Sequence, residues 1–391
     1  MNILYYIPNI SKVHGGIYQY SLNLLTELGG INGYNFFIPS LKLDNDIKEL
    51  CDKYENLHYF VTKEPVISVF KRGVLKIANL IFERFKYNYR FRVHSEIYFL
   101  IKKYNIDIVH SPHQTLPLNI EVKSILTLHD VQELHFPEFF SSKQRMVRAI
   151  DNHYSVNSAS AIIVSYNHIK EDIIKFFNID RNKIYVVLLN MSNLWFNKIK
   201  HSDNISYNLD FNSYILYPAA TWKHKNHKML INALYYLKTK KNISINLVCT
   251  GNKTEYYKEL QDLVKELNLE KQIIFKGIVA DRELFFLYKN ALAVVIPTLY
   301  EAGSFPLYES IFLNVPVVCS NVTSLPETIN DLDFIFNPKK IVDISDKIYK
   351  ITCDKSYILK NLSLISKRRK ELTSSNIKQK MIKIYKEILS N

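Results

Sequence analysis

The sequence predicts an α/β protein made of two doubly wound, mainly parallel domains. Three observations carry that expectation. Short apolar runs alternate with amphipathic helical patterns along the 391 residues, the order that βαβ units produce. The runs fall into two series of similar size. A polar, Asn-rich stretch without a sustained period, Asn190–Asp210, lies between them. The chain is also too long for one ordinary core and suits two domains of roughly 180 residues each.

Strands of the first series are expected at Ile3–Ile7, Asn35–Ile38, Ile106–His110, Ser124–Leu128, Ala161–Ser165 and Ile184–Leu188. Those of the second are expected at Tyr214–Tyr217, Ile245–Cys249, Gln272–Phe275, Ala293–Ile296, Val315–Cys319 and Asp333–Phe336. Helices fill the gaps. Ile17, Tyr20, Leu24, Leu25 and Leu28 share one face, as do Leu260, Leu263, Val264 and Leu267. Further helices are expected over Lys228–Leu237 and Pro306–Leu313. A last one, Ser375–Leu389, has its apolar positions at Ile377, Met381, Ile384, Tyr385 and Ile388.

Composition narrows the class. Hydrophobic content of 47% and charged content of 23% describe a globular chain, not a disordered one. The four cysteines form no C-x-x-C pair, and Cys249 and Cys319 sit in strand-like runs as small hydrophobes. A reducing, cytoplasmic setting is expected. Met1 leads directly into a strand-like run, so no secretory signal is read. No run of about 18 apolar residues suggests a spanning helix. The formal charge of +14 has two readings, a Lys/Asn/Ile composition bias or attraction to an anionic surface. Much of the excess lies at 71–103, with nine Lys/Arg against two Glu, and at 339–391, with fourteen against five acids.

The most informative stretch is Tyr300–Ser310, in which Glu301 and Glu309 flank a small-residue loop. An apolar strand precedes it and a helix follows. Open α/β sheets bind ligands at the carboxyl ends of their strands, and helix amino termini hold anions. Two carboxylates there can accept hydrogen bonds from sugar hydroxyls, so the stretch reads as a site for a nucleotide sugar.

The other motifs each have a rival reading. His14-Gly15-Gly16 opens the first helix and reads as a phosphate or substrate loop, or as a plain turn; it lacks the full G-x-G-x-x-G of a dehydrogenase. His129-Asp130 ends a strand and faces a ligand crevice, or caps a loop. Trp222-Lys223-His224-Lys225-Asn226-His227 puts lysines at a helix start, where they oppose the dipole unless an anion sits between; the rival is solvated charge. Asp44-Asn45-Asp46 and Asp331-Leu332-Asp333 read as turn or cap residues, and no metal site is expected.

These residues resemble glycosyltransferase family 4 over nearly the whole chain. The match runs through Gly15-Gly16, His129-Asp130, Ser165-Tyr166-Asn167, Lys225-Asn226, Gly251, Phe275-Lys276-Gly277-Ile278-Val279, the E-x7-E pair and Ser320-Asn321-Val322-Thr323-Ser324-Leu325-Pro326-Glu327. The resemblance implies two facing Rossmann-like domains (GT-B) with an interdomain cleft. The expected limits are 1–195 for the acceptor domain, 206–372 for the donor domain, and 373–391 for a helix packing back on the first. It implies a retaining transferase moving a sugar from a UDP- or GDP-linked donor to a glycan or lipid-linked acceptor, in bacterial cell-surface polysaccharide or glycolipid assembly.

The roles it implies are specific. Glu301 contacts sugar hydroxyls and Glu309 the ribose. Backbone amides at Gly303, Ser304 and Phe305 meet the sugar or diphosphate. Lys225 neutralises the leaving diphosphate, Ile278 meets the base through its backbone, and Gly251 lies on the donor side. Gly16 lies against phosphate or acceptor, His129 near the anomeric carbon, and Gly15 and Asp130 on the acceptor side. One departure is that Pro218-Ala219-Ala220-Thr221 lacks the family's usual Arg, leaving Lys223 as a substitute or Lys225 and helix dipoles alone. No cofactor is expected. Alternatives are a nucleotide-sugar epimerase of the same fold and a non-catalytic nucleotide-sugar-binding subunit. The basic, apolar-interleaved segment 70–103 suits a helix on anionic lipid at the inner membrane face, or a solvated helix. Nothing resembles a nucleic-acid module.

Overall fold

Every expected strand run lies in a parallel sheet in the computed structural model, which describes residues 1–7, 16–62, 69–84, 96–118, 120–188, 211, 213–373 and 376–390. The chain divides into two units, Met1–Leu189 with Ser375–Asn391, and Asn190–Ser374. The expected interdomain stretch Asn190–Asp210 lies outside the described residues.

The first unit holds strands β1 (Asn2–Tyr5), β2 (Asn35–Ser40), β3 (Leu57–Val61), β4 (Ile108–Ser111), β5 (Lys123–Thr127), β6 (Ala161–Val164) and β7 (Ile184–Val186). Its helices are α1 (Gly16–Leu28), α2 (Asn45–Lys53), α3 (Val69–Arg84), α4 (Glu96–Lys103), α5 (Gln132–His135), α6 (Ser142–Ser158) and α7 (Asn167–Phe177). The second unit holds β8 (Ile215–Pro218), β9 (Leu247–Thr250), β10 (Ile273–Gly277), β11 (Ala293–Ile296), β12 (Val317–Ser320) and β13 (Ile335–Phe336). Its helices are α8 (His227–Lys241), α9 (Tyr257–Glu266), α10 (Asp281–Asn290), α11 (Phe305–Leu313), α12 (Ser324–Ile329), α13 (Ile341–Cys353) and α14 (Lys355–Thr373). The last helix, α15 (Ile377–Ser390), belongs to the first unit.

Sheet order is β3-β2-β1-β4-β5-β6-β7 in the first unit and β10-β9-β8-β11-β12-β13 in the second. The winding reverses between β1 and β4, and between β8 and β11. Ligands of open parallel sheets bind beyond the strand ends at such reversals. Central strands are buried on both faces, so they read as continuous apolar runs and not as alternation; β6, β11 and β12 are buried at every position. Cys249 and Cys319 pack inside, and burial pushes both thiols up.

Sequence reading missed β3. Its residues Leu-His-Tyr-Phe-Val are mostly half-buried because it forms the sheet edge, so neither an apolar run nor a clean alternation marks it. The Asn bias acquires a structural use. Asn178, Asn242, Asn314 and Asn330 end α7, α8, α11 and α12 in the left-handed conformation. That is the position glycine usually takes, and this chain has only nine glycines. Asp44 caps α2 by accepting from the amides of Asp46 and Ile47, and Asp331 accepts from Asp333, so both D-x-D triplets do capping work.

Helix α15 buries the five apolar positions of its sequence period. Tyr385 reaches the carboxyl end of β4, where its hydroxyl lies 2.9 Å from His110 Nδ1; the other ring nitrogen faces Thr127 Oγ1 at 3.2 Å. Helix α3 inverts the usual order. Lys76 and Asn79 are buried, with Lys76 paired to Asp151 of α6 at 2.5 Å, while Val74, Ile77 and Ile81 are about half exposed. No described helix is long and apolar enough to cross a membrane.

Candidate active site

In the second unit, β8 and β11 pair side by side at the reversal of winding. The loop after β8 ends in a single 3-10 turn, Lys223–Lys225, that feeds α8. The loop after β11 feeds α11. Hydrogen bonds knit the two loops together. The Leu299 amide and the Thr298 hydroxyl both donate to the His224 carbonyl, at 2.7 and 3.1 Å. The buried Asn226 side chain donates to the carbonyls of Pro297 and Pro338, at 2.8 and 2.9 Å. Asn226 does so from φ 62°, a left-handed turn that Asn tolerates.

The outcome is an ion pair between residues 76 positions apart. Lys225 Nζ lies 2.7 Å from Glu301 Oε1, with the side chains only 18% and 10% exposed. Desolvation offsets most of the attraction in such a pair, so it argues more for a use than for stability. The Glu301 amide donates to Thr323 Oγ1 and its carbonyl accepts from Ser324 Oγ, each at 3.0 Å.

Helix α11 begins beside this pair. Ser304 stands at its N-cap, yet no side chain caps the helix, and the buried Ser304 hydroxyl has no partner among the described residues. Pro306 carries no amide N–H and the Leu307 amide donates to the Ser304 carbonyl at 3.1 Å, so the positive end rests on the Phe305 amide and the helix dipole. Glu309, one turn further, is buried and accepts a short hydrogen bond from the Tyr288 hydroxyl of α10. Burial, then the Glu309 charge, push the Tyr288 hydroxyl well up, so it stays a donor.

Other expected donor residues are placed as follows. Gly303 and Phe305 are half-buried at the start of α11. Gly251 has φ +107°, and a Cβ there would sit 2.7 Å from the Ala219–Ala220 backbone, so only glycine lets that loop close over it. Ile278 follows β10 and is 79% exposed. Lys223 does not join Lys225 at Glu301. Its ammonium lies over the Tyr256 ring, 5.3 Å from the centre, and 4.0 Å from Glu259 of α9. Neither nearby histidine substitutes for the absent Arg. Burial, then the Lys225 charge, push His224 and His227 down to about 3, so both are neutral at pH 7.

In the first unit, His129 follows β5. Its Nε2 lies 2.8 Å from the Pro112 carbonyl, which makes Nε2 the protonated nitrogen and Nδ1 the lone-pair one. Tyr20 of α1 packs edge-on at 4.6 Å, and burial lowers the pKa of the imidazole. Gln114 clamps the turn, accepting from the His129 amide at 2.9 Å and donating to the Asp130 carbonyl at 2.6 Å. The Asp130 carboxylate is taken by Arg148 at 2.7 Å, which also holds Glu133. Gly16 opens α1 and is exposed; Gly15 lies outside the described residues. Sequence reading missed Tyr288, Gln114 and Arg148, whose roles arise only from tertiary neighbours.

Two family models match the chain in tandem. "Glycosyltransferase Family 4" covers residues 47–188 and "Glycosyl transferases group 1" covers 206–371. The chain is 28% identical to the O-antigen chain mannosyltransferase RfbU of Salmonella typhimurium over 333 residues, 85% of this chain and 86% of that protein. It is 25% identical to O-antigen chain mannosyltransferase B of Escherichia coli over 370 residues, 91% and 92% of the two chains. A glycosyltransferase from Rickettsia africae superposes with TM-score 0.64 at 20% identity, covering 100% and 99%. Anabaena HepE, solved with UDP and glucose, superposes with TM-score 0.65 at 15% identity, covering 99% and 100%.

Proposed function

We propose, for a chain that belongs to glycosyltransferase family 4, that it moves a mannosyl or related hexosyl group from a nucleoside diphosphate sugar to a hydroxyl of a growing bacterial surface glycan, with retention. The observation that carries this reading is the Lys225–Glu301 pair at the uncapped amino terminus of α11. A leaving diphosphate gains charge as the anomeric carbon becomes cation-like, and a cation and amide dipoles aimed at that charge lower the barrier. Glu301 accepts from sugar hydroxyls and holds Lys225 in place. Glu309, braced by Tyr288, accepts from the ribose. In the first unit, neutral His129 keeps Nδ1 as a hydrogen-bond acceptor. The departing phosphate deprotonates the acceptor hydroxyl, so no protein base is needed. The mannosyl choice follows the relatives' names.

A panel of GDP- and UDP-hexoses with a lipid-linked glycan acceptor tests it. Transfer is expected from one donor, with the anomeric configuration kept in the product's NMR coupling. Turnover is expected to persist in excess chelator, because Lys225 and helix amides supply the positive charge. A new sugar isomer formed from donor alone would instead reveal an epimerase. Binding without transfer across the panel would reveal a non-catalytic subunit.

The reading places the protein at the cytoplasmic face of a membrane. Helix α3 supports this, since a stripe of exposed Val74, Ile77 and Ile81 beside a buried Lys76 paired to half-buried Asp151 is unusual for a solvated helix. Exposed Met146 and Val147 lie on α6, which packs against α3. The surrounding sequence carries a positive excess that suits anionic headgroups. Sedimentation with phosphatidylglycerol vesicles is expected to capture the protein and to fail at 0.5 M salt or so, where screening is nearly complete. Ile77→Glu with Ile81→Glu is expected to abolish capture. Unchanged binding in that variant would move the membrane face elsewhere.

A further inference from the structure

We infer that Thr323 is a positioning residue for Glu301, kept in a backbone conformation that its own side chain disfavours because its hydroxyl is needed there. The inference rests on the reading of Glu301 as the carboxylate that meets the sugar.

Thr323 has φ 50° and ψ −121°. Among the described residues nine non-glycine positions have positive φ; seven are Asn, one is Gln114, and Thr323 alone is β-branched. Asn tolerates the left-handed region, whereas a β-branched residue there is an outlier. The ψ of Thr323 also falls outside the left-handed helical well, near the first central position of a type II′ turn, which glycine normally fills. Strain of this kind persists where surrounding structure demands it, and it clusters at functional sites.

The hydroxyl is also diverted from its usual work. Thr323 holds the N-cap position of α12, where a threonine oxygen ordinarily accepts from a first-turn amide of its own helix. It makes no such bond. It accepts instead from the Glu301 amide at 3.0 Å, across 22 residues of sequence. Fully buried Ser324 donates to the Glu301 carbonyl at 3.0 Å, and Ser320 donates to the Thr298 carbonyl at 2.7 Å. The β12–α12 loop thus grips the β11–α11 loop at three points, two of them on Glu301. With Lys225 on the carboxylate, Glu301 is held at both backbone and side chain. A glycine at 323 would relieve the backbone and lose the grip on the Glu301 amide.

Three substitutions separate strain from positioning, measured as melting temperature, kcat and donor KM beside Glu301→Gln. Thr323→Gly is expected to melt a few degrees higher, with kcat about tenfold lower and donor KM within about twofold of the parent. Thr323→Ser, which keeps the hydroxyl without the branch, is expected to restore kcat. Thr323→Val, which keeps the branch without the hydroxyl, is expected to lose both stability and kcat. Wild-type kcat in Thr323→Gly, with Glu301→Gln inactive, would overturn the inference and leave the site reading standing. Loss of kcat together with melting temperature in the Gly variant, or no rescue by Ser, would make Thr323 merely structural. Wild-type turnover in Glu301→Gln would remove the reading itself and this inference with it.

Discussion

Lys225→Ala and Glu301→Ala are each expected to lower kcat by about 100-fold or more in a protein that still folds. Lys225 is the cation that the structure sets 2.7 Å from Glu301, and the loop before it, Pro218–Thr221, offers no second one. The neighbouring His224 and His227 are held neutral, so they cannot take over its charge. Removing a preorganised group of this sort typically costs on the order of 3 kcal/mol in the transition state. Stability responds to a different cause. Each single substitution strands a mostly buried opposite charge, and breaking one side of such a pair is worse than removing both. The double variant Lys225→Ala/Glu301→Ala is therefore expected to melt higher than either single variant, with no recovery of turnover. Lys225→Arg is not expected to rescue activity fully, because a planar guanidinium cannot occupy a point-charge position made for an ammonium. Steady-state kinetics and thermal melts on the four variants decide the matter. Near-parental kcat in either alanine variant would displace the site, and parallel losses of kcat and melting temperature relieved together in the double variant would make the pair structural.

How much of this was legible in sequence depended on the range of the interaction. The E-x7-E loop is local. A strand, a small-residue loop and a helix with carboxylates at fixed spacing appear in one reading window, and the structure shows that order from β11 to α11. The apolar strands were legible for a similar reason, since burial on both faces writes a continuous hydrophobic run. Edge strand β3 was not, because its faces are only partly covered. The resemblance put Lys225 and Glu301 at one site, and the structure sets them 2.7 Å apart. Partners that no motif carries stayed hidden, since nothing near Glu309 announces Tyr288. Thr323 was hidden more deeply, because threonine predicts negative φ and an N-cap bond, and both expectations fail there. The basic segment was read as a helix of either kind. Its inverted burial, with Lys76 inside and Ile77 outside, is a tertiary fact that period alone does not fix.

Acid is expected to destabilise both units from a pH above the usual carboxylate range. His110 in the first unit and His227 in the second are almost wholly buried, and burial holds each down at about 3. His110 is enclosed by the Tyr385 and Thr127 hydroxyls and the edge of Tyr5, with no carboxylate among the described residues within hydrogen-bond reach to favour the imidazolium. In the unfolded chain the same side chains titrate near 6.5. Between those values the unfolded state binds the extra proton, so stability is fully present above about pH 6.5 and falls as the pH drops toward 3. Each histidine contributes up to about 1.4 kcal/mol per pH unit in that window. At pH 5 this amounts to about 2 kcal/mol each for His110 and His227, with His129 and His224 adding in the same direction, against a typical margin of 5–15 kcal/mol. The range from pH 7 to 5 isolates the effect, because paired carboxylates begin to matter only lower down. Urea unfolding across that range, followed for each unit's transition, is expected to show the loss. His110→Gln removes one titrating group and is expected to reduce the pH dependence of the first unit to the share left by His129, while leaving the second unchanged. Tyr385→Phe is expected to lower the stability of the first unit at every pH, since it deprives His110 Nδ1 of its partner without changing the proton count. An equal pH slope in parent and His110→Gln would mean that the buried imidazole is not what makes the protein acid-labile, and the attachment of α15 through Tyr385 would then have to be judged on packing alone.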